Sequence, residues 1–585
     1  MKTALTLLLF LFPALFYNSA KRAGGALPAN GEEKNEPAVY PQNYFRAPLN
    51  LPLTLAGNFG EPRSGHFHTG LDFCTNEEEG HVVLAAADGY ISRINISPYG
   101  YGNALYIQHP NGYTTVYGHL QKFSPAIQER TRKEQYAKKS FSIDLFPAVG
   151  ELPVKKGDTI AWSGNTGSSG GPHLHFEIRD AREHPINPCL FGFDIKDSLP
   201  PVVSYLKFYP LDGLKYKSDG YITRLIKKGN RYGVAGDVVK VNDDKAGVAV
   251  NAYDIMQGVS NYTGIYDLKL FDNGQKIYEY QINSIAFTET RFVLSQVDFP
   301  LFRKYNYKPF QRCYLQPGNR CPVYKDVVNS GMIDLSDKKE HAISIEVADY
   351  NGNTDTIKFG LQYDANSGLF KEEPVKYVQR FDYEKENKFS NEDVSITAPK
   401  YCLFDTLYFN YSASPAVPGL YSKVHQVGDN STELLSWFDI SIKAVNLPPR
   451  LRDKALVCRK GETGGDVAYG GSYSNGYVLA RARAFGAFYI KTDTLPPRII
   501  PVNITPGKNM AAAKRILFKI EDDLSGIAAF NTYIDGEWAL TAYAAKTDLL
   551  IHDLDPALKP GTHTFKVVVT DERGNTATYS IKFRV

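Results

Sequence analysis

The chain has 585 residues, of which 43% are hydrophobic, which is enough for roughly three to five domains with buried cores and leaves no expectation of long disorder. The 66 Lys and Arg residues nearly balance the 63 Asp and Glu residues, giving a formal net charge of +3. This balance gives no reason to expect a nucleic-acid partner.

The first 20 residues have the layout of a secretory signal peptide. Lys2 precedes an uncharged run from Ala4 to Phe16, and small residues follow up to Ala20. The alternative is a retained membrane anchor, but the run is short for a span of about 20 residues. We therefore expect cleavage, export to the periplasm, cell envelope or extracellular space, and no transmembrane segment in the mature protein. Residues 21–44 are polar and are expected to form a flexible lead.

Residues 45–195 contain short β-rich runs separated by Gly turns, which is typical of a β-sheet domain. One interruption, Pro125–Lys139, has a helical composition. Eight of the 12 His residues in the chain lie between residues 66 and 184. Stability alone does not require this concentration, so we expect a metal or catalytic site here. We also expect residues 40–195 to fold on their own.

The first motif in this domain is SGHFHTGLDF, in which His68 and Asp72 stand four residues apart. On a flat strand their Cα atoms would be about 13 Å apart, whereas zinc ligand atoms lie about 2.0–2.2 Å from the metal. If both residues bind one metal, the chain must bend between them, and Gly70 is where it can. Alone, the H-x3-D pattern is also compatible with a solvated surface turn.

Two further segments supply histidines. In GGPHLHFEIRD, His173 and His175 alternate with apolar residues, so on a strand both face the same side. Two His residues on one face favour a metal or catalytic site over a buried structural His. His119 ends another β-rich run, TTVYGHL. His68, Asp72 and His175 together supply the three protein ligands of a catalytic zinc site, with His119 and His173 beside them.

The combination of H-x3-D, GHL and H-x-H segments resembles the lysostaphin-type (LytM-like) zinc endopeptidases, peptidase family M23. The flanking segments AADGYISRI, YGNALYIQHPNG and VKKGDTIAWSGNTGSSGG agree, and the resemblance covers about 150 residues. It implies an antiparallel β-sheet catalytic domain that holds one Zn²⁺ and hydrolyses the peptide crosslinks of peptidoglycan. It also implies that His68, Asp72 and His175 bind the metal and that His119 and His173 are catalytic.

Several residues near the motifs depart from the family pattern or lack an assigned role. Many members have a Tyr shortly before the first ligand, thought to stabilise the oxyanion, whereas NFGEPRSGHFH has none. Arg63 is either a substitute or a residue that holds the loop. His66 is a second candidate for the first ligand, but His68 fits the H-x-G-x-D spacing. Glu177 is expected to form a strand ion pair or to orient a ligand His.

Three landmarks recur in the same order after residue 195. They are Asp197–Pro201 and Asp493–Pro497, Asp254–Val259 and Asp522–Ile527, and Asp349–Thr354 and Asp571–Thr576. Each last landmark provides Gly and Asn for a left-handed turn before an alternating strand. Such units resemble bacterial immunoglobulin-like β-sandwiches.

The sequence therefore predicts a mainly β chain, with the antiparallel M23-type domain followed by about three β-sandwich units. The first, residues 197–365, carries insertions, and the last comprises residues 493–585. Residues 370–492 are β-rich without the landmarks and are expected to form another sandwich.

Two other functions remain open from the sequence. Some LytM-like domains have lost their ligands and only bind the wall or activate amidases, and a surface adhesion or scaffold protein would use the sandwiches alone. Neither alternative accounts for a complete set of ligands and catalytic histidines. We expect peptidoglycan crosslinks as the substrate and an envelope protein as a partner of the C-terminal sandwiches.

The six cysteines include no CxxC pair. Cys313 and Cys321 are close in sequence, flank Pro317 and Gly318, and are expected to pair in an oxidising compartment.

Overall fold

The computed structural model describes residues 39–585 apart from 212–215, 218–219, 306–307, 372, 375 and 463. The predicted signal peptide (1–20) and residues 21–38 of the predicted lead lie outside the described residues. Within the described part of the chain, no helix has the length and apolar character needed to cross a bilayer. The prediction of a mainly β fold with several β-sheet units after the first domain is confirmed.

The first domain is built on a nine-stranded sheet whose neighbouring strands are antiparallel. Its main strands are β1 (Leu55–Gly57), β2 (Leu71–Cys74), β3 (Gly89–Ile96), β4 (Asn103–Gln108), β5 (Thr114–Gly118), β6 (Ile143–Leu145) and β7 (His173–Arg179). They lie side by side in the order β1-β2-β7-β5-β4-β3-β6. The short strands Pro153–Val154 and Pro185–Ile186 pair with β3 and β7. Consequently β7, which carries the H-x-H motif, lies between β2 and β5.

Smaller elements cover this sheet. The helix α1 (Pro125–Lys138) starts with Pro in its first turn and ends where Lys139 takes a left-handed conformation, a combination that suits a helix start and stop. The other elements are a three-stranded sheet (Val82–Leu84, Thr159–Trp162, Lys122–Phe123), a hairpin (Pro62–Arg63, His66–Phe67) and a 3₁₀ turn (Pro188–Phe191).

The unit that follows contains a six-stranded and an eight-stranded sheet. The six-stranded sheet comprises Val202–Pro210, Tyr221–Arg224, Lys245–Ile255, Tyr262–Thr263, Phe310–Arg312 and Ile333–Asp334. The eight-stranded sheet comprises Ile226–Lys228, Arg231–Gly233, Val238–Val241, Asp267–Asp272, Gln275–Gln281, Tyr324–Lys325, Glu340–Ala348 and Thr354–Tyr363. This unit also contains the helices Val293–Gln296 and Phe299–Lys304, the 3₁₀ turns Thr290–Phe292 and Asn329–Gly331, and the strand pair Tyr216–Lys217 with Glu373–Pro374.

Two further pairs of sheets complete the chain. The next unit has the strands Asn387–Ser390, Val394–Ala398, Phe438–Lys443, Tyr477–Ala482 and Ser472–Ser474 in one sheet, and Tyr411–Ser414, Val424–Val427, Gly486–Thr492, Ala455–Lys460 and Asp466–Ala468 in the other. Gln379–Phe381 pairs with Leu407–Phe409, and Pro449–Lys454 is a 3₁₀ turn. The last unit has Arg498–Pro501, Arg515–Glu521, Leu549–Asp553 and Ala542–Ala544 in one sheet, and Glu537–Trp538, Ile527–Ile534, Thr562–Asp571 and Thr576–Arg584 in the other.

The core of the first domain continues into the unit that follows it. Phe67 is fully buried and stacks on Tyr280, with ring centroids 6.3 Å apart. The Asn58 side chain donates to the carbonyl of Gly264 at 2.7 Å and accepts from its N–H at 2.8 Å. This shared interior argues against the expectation that residues 40–195 fold alone.

The expected disulfide between Cys313 and Cys321 is not formed, and all six cysteines are free thiols. Cys313 is fully buried, and its backbone N–H donates to the carbonyl of Val248. In the segment before Cys321, Gly318 is buried and its N–H donates to the carbonyl of Phe404. The segment between the two cysteines therefore bonds to the neighbouring unit, and the expected disulfide-closed loop does not form.

Candidate metal centre and active site

Three side chains converge where β2 and β7 pair. His175 lies opposite Asp72 in the strand register, and His68 precedes β2. His175 Nδ1 is 2.8 Å from Asp72 Oδ1 and 3.0 Å from His68 Nε2, and His68 Nε2 is 3.1 Å from Asp72 Oδ1. All three residues are buried, with 3% exposure each. The sequence motifs, which are more than 100 residues apart in the chain, thus form one cluster.

Gly70 is required for this convergence through its lack of a side chain. A Cβ atom at Gly70 would lie 2.5 Å from the carbonyl oxygen of Phe176 and 2.8 Å from Cε1 of His175. No real Cβ tolerates such distances, so any side chain would push β7 away. The sequence predicts a bend at Gly70, and the structure adds a close approach between strands.

The hydrogen bonds of the two imidazoles define which nitrogen faces the cluster. His68 Nδ1 lies 2.8 Å from the carbonyl of Asn58, and a carbonyl only accepts, so Nδ1 carries the proton. His175 Nε2 lies 2.9 Å from the carboxylate of Glu177 and donates to it. In the neutral form of each ring, the lone pair therefore lies on the atom that meets the centre, His68 Nε2 or His175 Nδ1.

This donor set fits a zinc ion. Two imidazole nitrogens and one carboxylate oxygen, all buried, repel one another unless a cation lies among them. Ligand atoms about 2.0–2.2 Å from one zinc are separated by about 3.4 Å, close to the distances found here. Two His and one carboxylate leave the fourth position open, as in catalytic zinc sites.

The second oxygen of Asp72 is held by Arg63. The guanidinium donates to Asp72 Oδ2 at 2.6 Å and to Glu61 Oε1 at 3.2 Å. Burial alone would raise the pKa of Asp72, but His68 and Arg63 hold it well below its ordinary value. Arg63, left open between two roles by the sequence, thus fixes the orientation of the Asp72 carboxylate.

Glu177 is the centre of a second layer of hydrogen bonds. It is fully buried and accepts from His175, from Arg179 Nε at 2.7 Å, from Thr69 Oγ1 at 2.7 Å and from the Tyr101 hydroxyl at 2.5 Å. Burial would raise the pKa of Glu177, but Arg179 and the bond from His175 hold it well below its usual value. The sequence pointed to Glu177, but gave no signal for Thr69 or Tyr101, which come from distant segments.

His119 and His173 form a pair beside the cluster, with ring centroids 4.7 Å apart. His119 has φ of 59°, a left-handed conformation that is rare outside Gly. Its Nδ1 donates to the carbonyl of Thr166 at 2.9 Å, and His173 Nδ1 donates to that of Gly171 at 2.9 Å. His173 Nε2 is buried, makes no hydrogen bond within the described residues and lies 3.4 Å from Asp72 Oδ1. Burial and the neighbouring His173 hold the pKa of His119 well below its usual value.

The other histidines of the first domain lie outside the cluster. His66 is exposed and pairs with Arg63 in the short hairpin, so it does not join His68, Asp72 and His175. His109 is buried and bonds to the carbonyl of Asp88 and to Thr115 Oγ1, which is a structural arrangement.

Two later units border the site. Asn261 donates to the carbonyl of Ala56, in β1, at 3.2 Å. Lys546 of the last unit donates to Asn165 Oδ1 at 2.7 Å and to the carbonyl of Ser169 at 3.2 Å. The loop that carries these two acceptors leads directly into the H-x-H strand. The last unit therefore contacts the rim of the site although it lies almost 400 residues away in sequence.

Two family models match the chain. Peptidase family M23 matches residues 66–138 and 149–188, and the Zu5-like domain matches residues 378–493. The chain thus carries a peptidase family M23 domain that contains His68, Asp72 and His175 and the histidine pair, and a Zu5-like domain further on.

Relatives match about a quarter to a third of the chain. The DD-carboxypeptidase/endopeptidase Mpg of Neisseria meningitidis is 33% identical over 159 residues, which are 27% of this chain and 29% of Mpg. The peptidoglycan DD-endopeptidase ShyA of Vibrio cholerae is 29% identical over 193 residues, 32% of this chain and 38% of ShyA. The chain therefore spans less than two fifths of either relative. The catalytic domain of lysostaphin from Staphylococcus simulans is 27% identical, with 23% of this chain and 87% of that domain covered and a TM-score of 0.17.

Proposed function

We propose that this protein is a zinc-dependent endopeptidase that hydrolyses peptide crosslinks of bacterial peptidoglycan. The observation that carries the proposal is the convergence of His68 Nε2, Asp72 Oδ1 and His175 Nδ1 beside two further imidazoles. The similarity of the chain to the DD-carboxypeptidase/endopeptidase Mpg of Neisseria meningitidis and to the peptidoglycan DD-endopeptidase ShyA of Vibrio cholerae supports the choice of substrate.

The proposed chemistry divides between the metal and the chain. When bound, zinc supplies activation of water and polarisation of the scissile carbonyl. His119 and His173 each donate Nδ1–H to a backbone carbonyl, so each presents Nε2 towards the reaction. One of them takes the proton from water and passes it to the leaving amine, and the other, which enters the reaction as the imidazolium, donates a hydrogen bond from Nε2 to the developing oxyanion. The hydrogen bonds from Nδ1 hold both rings, so each Nε2 would keep its orientation towards the bound peptide.

We propose that the units after the first domain position the active site relative to its substrate. Peptidoglycan lies outside the cytoplasm, so we propose export to the cell envelope. The β-sheet units after residue 197, among them the Zu5-like domain, would then place the site against the wall or an envelope protein. The contact of Lys546 with the rim supports a role of the last unit in shaping the substrate groove.

Metal analysis combined with turnover tests the proposal. The full chain should contain about one zinc and digest purified sacculi. His68→Ala, Asp72→Ala and His175→Ala should each remove both properties. His66→Ala is the matched control, because His66 is an exposed imidazole two residues from a ligand, and this variant should keep both. A folded wild-type protein that binds zinc but releases nothing from sacculi would favour a silent wall-binding relative.

A further inference from the structure

The repeated Asp landmarks of the C-terminal units fold into clusters. Asp197, Asp254 and Asp349 bring one carboxylate oxygen each to within 4.8 Å of one another, and Asp493, Asp522 and Asp571 do the same in the last unit. In both clusters the Asn of the G-N-T segment donates to the last Asp and to the backbone carbonyl of the first. The landmarks thus build the same arrangement twice, and neither cluster takes part in the proposed peptidase chemistry.

The first cluster, which we call the junction triad, has the stronger indication of a ligand. Asp254 and Asp349 are both 4% exposed. Oδ1 of Asp254 is buried and has no hydrogen-bond partner among the described residues. No Lys or Arg forms an ion pair with any of the three carboxylates in the described part of the chain. Buried carboxylates without a counter-charge are unfavourable unless they coordinate a cation.

The energetics of the empty triad are unfavourable for charge. Burial, then the neighbouring carboxylate of Asp349, raises the pKa of Asp254 to about 8. Burial also raises the pKa of Asp349. Such a group of mutually repelling carboxylates is stable at neutral pH when a cation binds between them.

We propose that Asp197, Asp254 and Asp349 bind a Ca²⁺ ion. The donors are oxygen atoms only, which are the ligands of hard cations and differ from the N and O set of the peptidase site. Asp197 and Asp349 lie outside the strands and Asp254 lies near the end of the strand Lys245–Ile255. Such an irregular set of donors suits the adaptable coordination of Ca²⁺ better than the strict octahedron of Mg²⁺.

The position of the triad defines what the ion would do. Asp197 lies in the linker that leaves the M23 domain, whereas Asp254 and Asp349 belong to the following unit. The loop after Asp349 is hydrogen-bonded to the end of the M23 domain and to this linker. Asn351 donates to the carbonyl of Ile195 at 2.9 Å, and Tyr350 donates to that of Cys189 at 2.8 Å. A bound ion would fasten the linker to the unit and so fix the unit that borders the metal centre.

Calcium titration of the full chain, in buffer freed of divalent ions and then given excess Mg²⁺, tests the proposal. Wild-type protein should bind Ca²⁺ with Kd below about 10⁻³ M, and its first unfolding transition should move to higher temperature. Asp254→Asn and Asp197→Asn should each bind one Ca²⁺ fewer than wild type. Asp355→Asn, which removes a charge from the neighbouring strand outside the triad, should bind like wild type.

The variants and the wild type share the cluster of Asp493, Asp522 and Asp571. Differences between them therefore report on the junction triad alone. In Ca²⁺-free buffer, Asp254→Asn should unfold at or above the wild-type temperature, because the substitution removes repulsion. Unchanged Ca²⁺ uptake in both triad variants would overturn the proposal. So would an Asp254→Asn protein that is folded but clearly less stable than wild type without Ca²⁺, since its carboxylate would then have a structural partner. None of these measurements depends on peptidase activity, so the two proposals can fail separately.

Discussion

Nε2 of His175 lies 2.9 Å from Oε1 of Glu177, a carboxylate with no solvent exposure. This contact fixes the tautomer of His175 and leaves Nδ1 as the atom that faces Asp72 and His68. Glu177 is itself charged because Arg179 pairs with it at 2.6 Å. The orientation of a proposed zinc ligand thus depends on a buried ion pair one layer further out.

We expect Glu177→Gln to weaken zinc binding about 10–100-fold, the usual effect of losing an outer-layer partner. It should also lower stability by roughly 3–5 kcal/mol, because Arg179 loses its buried counter-charge. Zinc affinity from chelator competition and the unfolding free energy measure the two effects. Tyr101→Phe removes only one hydrogen bond to the same carboxylate and is the milder control. An unchanged zinc affinity in Glu177→Gln would show that Glu177 is purely structural.

The histidines should separate into two classes. His119→Ala and His173→Ala should keep zinc near stoichiometric levels yet lose about 10²–10⁴-fold in rate, since general acid–base groups contribute that much. His175→Ala should lose the zinc itself. Zinc content, melting temperature and turnover of all three variants give the comparison. Zinc lost from His173→Ala and retained in His175→Ala would reverse the proposed ligand.

Gly70→Ala should lower both stability and zinc affinity, although it adds only one methyl group. Its Cβ would meet the backbone of β7 at 2.5 Å, so the strands must separate and the ligand geometry with them. We expect a stability loss of about 1–3 kcal/mol, as in overpacked interiors, and much weaker zinc binding. Gly171→Ala, whose Cβ would meet nothing within 4 Å, is the control and should remain close to wild type. Thermal unfolding and metal content of the two variants decide the matter, and similar behaviour would refute the close-approach argument.

Short motifs with fixed spacing predicted that His68, Asp72 and His175 come together, and the repeated Asp landmarks predicted related units in the C-terminal part of the chain. Gly70 was noticed, although for a bend instead of a strand contact. Tyr101 and Thr69 could not be predicted, since an ordinary Tyr or Thr shows no pattern until the fold brings it to Glu177. The contact between Lys546 and Asn165 joins segments 381 residues apart, and no local signal encodes it. The predicted Cys313–Cys321 disulfide was wrong for the same reason, because the segment between the two cysteines bonds to a distant unit.

The shared core predicts how fragments behave. A fragment of residues 39–195 exposes Phe67, which is fully buried against Tyr280 in the full chain. We expect this fragment to be insoluble or to unfold at clearly lower temperature than a fragment of residues 39–371, which keeps the partner surface. Thermal unfolding of both, followed by far-UV circular dichroism, provides the measurement. Equal melting temperatures would mean that the first domain folds independently of its neighbour.

The central claim is tested most directly by mass spectrometry of the muropeptides that the zinc-loaded full chain releases from purified sacculi. The account predicts products in which a peptide crosslink between two stems has been hydrolysed, and no such products with Asp72→Ala, which lacks a ligand but should retain the fold. Release of the same products by a zinc-free Asp72→Ala protein, or uncut crosslinks after prolonged digestion with the zinc-loaded wild type, would contradict it.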